Sequence, residues 1–238
     1  MKTIGIIGGM GPAATVDLYA KIIAATAAAR DQDHPRVLID SNTAMPDRNA
    51  ALDGDGPSPA PMLAATAAGL ERAGAELIAM SCNTAHAFQR DIEAAIGAPF
   101  ISMIDATADD TLARAPKVKR VAVLAATGCV RAGLYQRAFA ARGVEAMLLG
   151  GAEHARFMDL VYAIKGGDLG ARVRAQMREL ATGLLGAGSD ALVAGCTEVP
   201  LVLSQSDIDA PLIDSAAALA TCLVALARAA PDSPQRRK

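Results

Sequence analysis

The sequence predicts an α/β protein made of two similar halves, each a parallel sheet flanked by helices. Three observations predict it. Short, nearly all-apolar runs alternate with stretches of helical spacing. The chain aligns with itself in three blocks taken in the same order. Its 238 residues are 52 % hydrophobic and 20 % charged, enough for one large core or two smaller ones.

The apolar runs fall at about Ile4–Ile7, Val37–Asp40, Leu77–Met80, Phe100–Met103, Val121–Leu124, Ala146–Leu149, Ala191–Ala194 and Leu212–Ile213. Runs this apolar fit strands covered on both faces, as in parallel sheets. Most are separated by helical patterns. In the first, Val16, Tyr19, Ile22 and Ile23 share one face.

The repeat is clearest between "GLERAGAELIAMSC" and "GLLGAGSDALVAGC", which pairs Gly69 with Gly183 and Cys82 with Cys196 at an offset of 114 residues. In both copies a helix ends at a glycine, an acid starts a strand, and the strand delivers a cysteine. Upstream, "KTIGIIGGMG" resembles "KRVAVLAATG". Downstream, "APFISMID" resembles "APLIDSAA". A block of this size is a duplicated domain and not a solenoid repeat.

Bulk properties narrow the function. The formal net charge is −2, which gives no electrostatic case for nucleic acid or an anionic membrane. No apolar run reaches membrane-span length, and the N-terminus lacks a signal-peptide pattern. A cytoplasmic protein is expected. The four cysteines, Cys82, Cys129, Cys196 and Cys222, are far apart and include no C-x-x-C pair. They are expected as free thiols. With no Trp, four Phe and three Tyr, base stacking has little material. The tail "PDSPQRRK" reads as a frayed polar end.

The first loop invites a nucleotide reading. Gly9-Met10-Gly11 runs from a strand into a helix, Ala14 completes G-x-G-x-x-A, and Asp40 could meet a ribose. The duplication weakens this. The counterpart of Gly9-Met10-Gly11 is Ala126-Thr127-Gly128, which is no such fingerprint. Ligands sit at the carboxyl ends of parallel strands. Both glycine loops and both Cys82 and Cys196 then face one site, and the glycines read as close-approach backbone around a small ligand.

Two strand-end cysteines suggest proton transfer. Each is expected to precede a helix, whose dipole would lower the thiol pKa toward neutrality. The amides and hydroxyls of Asn83, Thr84 and Thr197 offer a pocket for a carboxylate. Two such loops facing each other put thiols on opposite sides of one molecule. One thiolate can then remove Hα from one face of a carbon while the other thiol returns a proton to the opposite face. Cys222, in an apolar helix, reads as a small buried hydrophobe, and Cys129 reads the same way. Zinc held by Cys82, His86 and Cys196 lacks a fourth ligand. A disulfide would have to cross the ligand gap.

The motifs "GIIGGMGPAAT", "PDR" at 46–48, "SCNTAHAF", "AATG", "AIKGGDL" and "AGCTEV" together resemble the aspartate/glutamate racemase superfamily, nearest its cofactor-independent aspartate racemase branch. The resemblance runs from Lys2 to about Asp214. It implies two pseudo-twofold-related α/β domains with the active site in the cleft between them. The domains would span 1–103 plus 214–238, with the last helix packing on the first, and 104–213. It implies racemisation without pyridoxal phosphate or metal. Cys82 and Cys196 would be the acid/base pair, with Cys196 serving the L-enantiomer. Met10, Asn83, Thr84, Thr127, Thr197 and Glu198 would line the substrate site. Arg48 and Lys165 would hold a side-chain carboxylate. Arg48 lies in the long polar segment "NTAMPDRNAALDGDGPSPAP", expected to be a lid. The family implies a homodimer acting on a small acidic amino acid, aspartate or glutamate.

Two positions depart from the pattern. Cys129 stands where the family often has a hydroxyl, and Ser81 stands where near relatives carry Pro. The alternatives are a maleate-type dicarboxylate isomerase of the same superfamily or a dicarboxylate-binding protein without turnover.

Overall fold

A computed structural model describes residues 1–229. The "PDSPQRRK" tail and the end of the first proposed domain lie outside them. The chain runs β1 (Ile4–Gly8), α1 (Pro12–Ala25), β2 (Val37–Ser41), α2 (Arg48–Asp53), α3 (Ala60–Arg72), β3 (Leu77–Met80), α4 (Gln89–Glu93) and β4 (Phe100–Ile101). It continues through α5 (Met103–Arg114), β5 (Arg120–Leu124), α6 (Thr127–Arg131), α7 (Leu134–Ala140) and β6 (Glu145–Leu148). The last elements are α8 (Gly151–Lys165), α9 (Ala171–Gly186), β7 (Ala191–Ala194), β8 (Leu212–Asp214) and α10 (Ser215–Arg228).

The strands form two four-stranded sheets, ordered β2-β1-β3-β4 and β6-β5-β7-β8. Every pairing is parallel. The duplication seen in the sequence is a duplication of topology. It extends to single contacts. Glu76 accepts the Thr3 amide at 2.8 Å, and Asp190 accepts the Lys119 and Arg120 amides at 2.8 and 3.0 Å. Each half thus uses the acid at the start of its third strand to fasten the start of its first.

Side-chain alternation explains the apolar runs. Ile4, Ile6, Leu77 and Ala79 face a core shared with α1 and α10, while Ile7, Ile78 and Met80 face α3. In the second sheet, Ala122, Leu124, Leu192 and Ala194 face α8 and α9. Val121, Val123, Ala191, Val193 and Ile213 face α5 and α7. A strand buried on both faces has no polar side to interrupt its run.

Helix α10 returns to the first sheet. Leu219, Leu223 and Val224 pack with Ile4, Leu18 and Ile22, and Asp214 caps the helix by accepting the Ala216 and Ala217 amides. Truncating a fully buried leucine such as Leu223 to alanine costs about 2–5 kcal/mol.

The first helix corrects an expectation. Its inward face is Ala14, Thr15, Leu18 and Ile22, whereas Val16, Tyr19 and Ile23 are 68 %, 40 % and 44 % exposed. The helix is apolar almost all round, so spacing could not select the inward stripe. The segment expected as a long polar loop also holds ordered structure. Asp47 caps α2 by accepting the Ala50 amide at 2.9 Å.

Candidate active site

The carboxyl ends of β1, β3 and β7 converge with α2 and α8 on one small cavity of about 30 Å³, room for roughly two waters. Met10, Arg48, Cys82, Asn83, Thr84, Lys165, Cys196, Thr197 and Glu198 all line it. One thiol comes from each half. Outside it lies a vestibule of about 500 Å³ that shares Met10, Arg48, Lys165 and Glu198 with the inner cavity. Those four side chains border both spaces.

The first glycine loop is shaped by its neighbours. Gly9 has φ +86°, and a Cβ there would lie 2.5 Å from the Asn42 backbone. Glycine is required because β2 runs on close beside it. Asp40 is exposed and lies off the cavity wall, so the ribose-acid reading finds no site here. The Thr15 hydroxyl accepts the Gly9 amide at 2.9 Å, donates to Gly11 O at 3.0 Å and meets the Ser81 hydroxyl at 3.1 Å. Ser81, the departure from the family pattern, ties the end of β3 to the glycine loop.

Cys82 lies two residues before a 3₁₀ stretch, Thr84–Phe88, that runs on into α4. His86 folds back beneath it. Its Nε2 accepts the Met103 amide at 3.0 Å, so Nδ1 carries the proton and donates to Cys82 O at 2.8 Å. Both ring nitrogens are occupied by main chain. Complete burial lowers the imidazole pKa to about 4.

Cys196 is differently placed. Its Sγ donates to Glu198 Oε2 at 3.0 Å, and the Thr197 hydroxyl donates to the same oxygen at 3.3 Å. Lys165 Nζ donates to Glu198 Oε1 at 2.8 Å. Burial and then the Glu198 charge push the Cys196 thiol well above its usual range. Burial alone would lower the Lys165 pKa, but the pairing with Glu198 outweighs it and raises it. The lowered thiol expected from a helix dipole is not what Cys196 shows. The element after it is one 3₁₀ turn, Val199–Leu201, too short for a macrodipole to dominate burial.

Arg48 is turned onto its own loop. Nη1 donates to Pro46 O at 3.0 Å, and the buried Nε has no hydrogen-bond partner. The segment carrying it is fastened across the cleft. Asn49 Oδ1 accepts the Gly128 amide at 2.8 Å, and Asp53 pairs with Arg131.

Two expected contacts are turned elsewhere. The Thr127 hydroxyl meets His154 Nε2 at 3.0 Å, off the cavity wall. The Asn83 amide lines the cavity but is engaged at both ends, accepting from Tyr135 and donating to Ser215. The wall also includes Asp47, Asn49, Val161 and Tyr162, which sequence reasoning did not select. Asp47 and Asn49 flank Arg48, and Tyr162 lies one helical turn before Lys165, so spacing could have found them. All four cysteines are free thiols, and Cys129 is fully packed, its thiol pushed up by burial. No helix among the described residues is long and apolar enough to cross a membrane.

The chain is similar to known proteins over nearly its whole length. The chain is 27 % identical over 226 residues to a broad-specificity amino-acid racemase of Bacillus subtilis, covering 93 % of this chain and 96 % of that one. The fold matches an aspartate racemase of Picrophilus torridus with TM-score 0.85 and 31 % identity, covering 95 % and 94 % of the two chains. It matches an aspartate racemase homologue of Pyrococcus horikoshii with TM-score 0.78 and 30 % identity, covering 96 % and 100 %. The model of the family described as Asp/Glu/Hydantoin racemase matches residues 7–223. The chain belongs to the Asp/Glu/Hydantoin racemase family and is an amino-acid racemase.

Proposed function

We propose that the enzyme interconverts L- and D-aspartate by two-thiol acid–base catalysis, with glutamate as the next substrate to test. One observation carries the reading. A thiol from each half lines the same cavity, with Arg48 and Lys165 at its mouth. The likeness to the aspartate racemase of Picrophilus torridus supports the substrate.

The inner cavity, at about 30 Å³, is too small for an amino acid, so binding must widen it toward the vestibule. The substrate side-chain carboxylate takes Arg48, whose Nε lacks a partner, and competes with Glu198 for Lys165. The α-carboxylate is held by the main-chain amides of the Asn83–Thr84 and Thr197 turns. The Thr127 hydroxyl must leave His154 to join them.

Glu198, released by Lys165, accepts the Cys196 proton. The Cys196 thiolate then takes Hα from the L-enantiomer. The electron pair left on Cα spreads into the α-carboxylate, where the turn amides stabilise it. The Cys82 thiol gives its proton to the opposite face and becomes the thiolate. The D-enantiomer runs the same path backwards. Proton exchange among Glu198, the thiols and solvent resets the site. No atom changes oxidation state.

Replacing either thiol tests the mechanism. Cys82→Ala and Cys196→Ala should each lower racemisation by about 10²–10⁴-fold. Racemisation at the wild-type rate in either variant overturns it.

The reading includes a homodimer, supported by the exposed apolar face of Val16, Tyr19 and Ile23 on α1. It also includes a cytoplasmic location, which suits four free thiols. Light scattering on the purified protein decides the first.

A further inference from the structure

One buried side chain touches the turns of both cysteines. Tyr135 lies on α7 in the second half and is 1 % exposed. Its hydroxyl donates to Asn83 Oδ1 at 2.6 Å, on the residue after Cys82. Its ring edge lies against Gly195, the residue before Cys196. A Cβ on Gly195 would sit 2.8 Å from Tyr135 Cε2 and 2.9 Å from Val123 Cγ1. Asn83 in turn donates from Nδ2 to the fully buried Ser215 at 3.1 Å, at the start of α10.

From this geometry we infer that Tyr135 is a positioning residue that sets the spacing between the Cys82 and Cys196 turns. It does so by a hydrogen bond on one side and by contact with a bare backbone on the other. The inference rests on the two-thiol reading.

The chemistry favours a spacer of this kind. A two-base racemase needs its thiols in register on opposite faces of one carbon, and the two thiols belong to different sheets. An aromatic ring is rigid, with only two side-chain torsions to fix. Phe139 stacks on it at 6.0 Å and 22°, which holds its plane. Burial raises the phenol pKa far above its ordinary value, so the hydroxyl stays a neutral donor. Gly195 leaves room for the ring at the Cys196 turn, and Asn83 carries the bond from the Cys82 turn. The third partner, Ser215, starts the helix that returns to the first sheet. One short chain of contacts therefore joins both halves beside both thiols.

The test separates position from folded fraction. L-Aspartate incubated in D₂O reports two rates: α-proton exchange by NMR and inversion by chiral chromatography. Losing folded enzyme scales both rates equally. Losing register between the thiols leaves exchange at Cys196 in place while delivery from Cys82 fails. Tyr135→Phe keeps the ring and removes only the hydroxyl. It should raise the exchange-to-inversion ratio at least fivefold. Ser215→Ala, which removes the far end of the same chain, should shift it in the same direction. An unchanged ratio in both variants overturns the inference.

If wild-type enzyme exchanges no acidic amino acid, the catalytic reading falls separately. The placement is then judged by iodoacetamide labelling, with Cys82 and Cys196 resolved by peptide mass. A changed labelling ratio in Tyr135→Phe supports the spacer, and an unchanged one overturns it.

Discussion

Glu198 accepts a hydrogen bond from the Cys196 thiol at 3.0 Å while its other oxygen holds the Lys165 ammonium at 2.8 Å. One carboxylate therefore serves a thiol and a cation at once. Its negative charge, added to burial, keeps the thiol protonated. Glu198→Gln keeps the shape and removes the charge. Iodoacetamide labelling of Cys196 at pH 8 should accelerate, because the thiolate fraction rises. Racemisation should fall by about 10²-fold, because the carboxylate no longer relays protons between the thiols and solvent between turnovers. Slower labelling would contradict this account of the pair.

Arg48 bonds to its own loop carbonyls and leaves Nε buried without a partner. In the proposed complex a substrate carboxylate would satisfy it bidentately. Arg48→Lys keeps the charge but loses the fork, so KM for aspartate should rise about tenfold with kcat less affected. Arg48→Gln should raise it further, by about 10²-fold. Initial rates across substrate concentrations read both, and an unchanged KM in Arg48→Gln would remove Arg48 from the substrate site.

The strap across the cleft is Asn49 on Gly128, seconded by Asp53 and Arg131. Asn49→Ala leaves the Gly128 amide without its partner. Hydrogen exchange of the α2 amides should quicken and KM should rise several-fold, with global stability lowered by only about 1 kcal/mol. Unchanged α2 exchange would mean that the segment is held by other contacts.

His86 links stability to pH. Its pKa in the folded protein is lowered to about 4 from an unfolded value near 6.5. Between these values the unfolded chain binds a proton that the folded protein refuses. Stability therefore falls as pH drops through that window, by about 3 kcal/mol for the single site. Urea unfolding at steps from pH 7 to pH 4 measures the slope. His86→Gln should be less stable at pH 7 and should lose less on acidification. Equal slopes in the two proteins would mean that His86 is not the titrating group.

Much of the fold is legible in the sequence, for a physical reason. Strands buried on both faces read as unbroken apolar runs, so Leu77–Met80 and Ala191–Ala194 are located to the residue. The paired thiols stand out because duplication repeats their context. Other features depend on contacts that spacing does not encode. Helix α1 is apolar on nearly every side, so the pattern could not tell Leu18 from Val16. The chemistry of Cys196 depends on which way Glu198 points, and a motif does not record rotamers. Tyr135 meets Asn83 across 52 residues of chain, and nothing local to either marks the pair. Thr127 carries the right hydroxyl at the right loop, yet His154, 27 residues on, takes it.

The central claim is that two thiols racemise aspartate using the chain's own side chains. Its most direct test is proton NMR of L-aspartate in D₂O with purified enzyme and no added cofactor, followed by chiral chromatography. The account predicts loss of the α-proton signal together with accumulation of D-aspartate up to an equimolar mixture. An undiminished α-proton signal at enzyme concentrations that bind aspartate would contradict it.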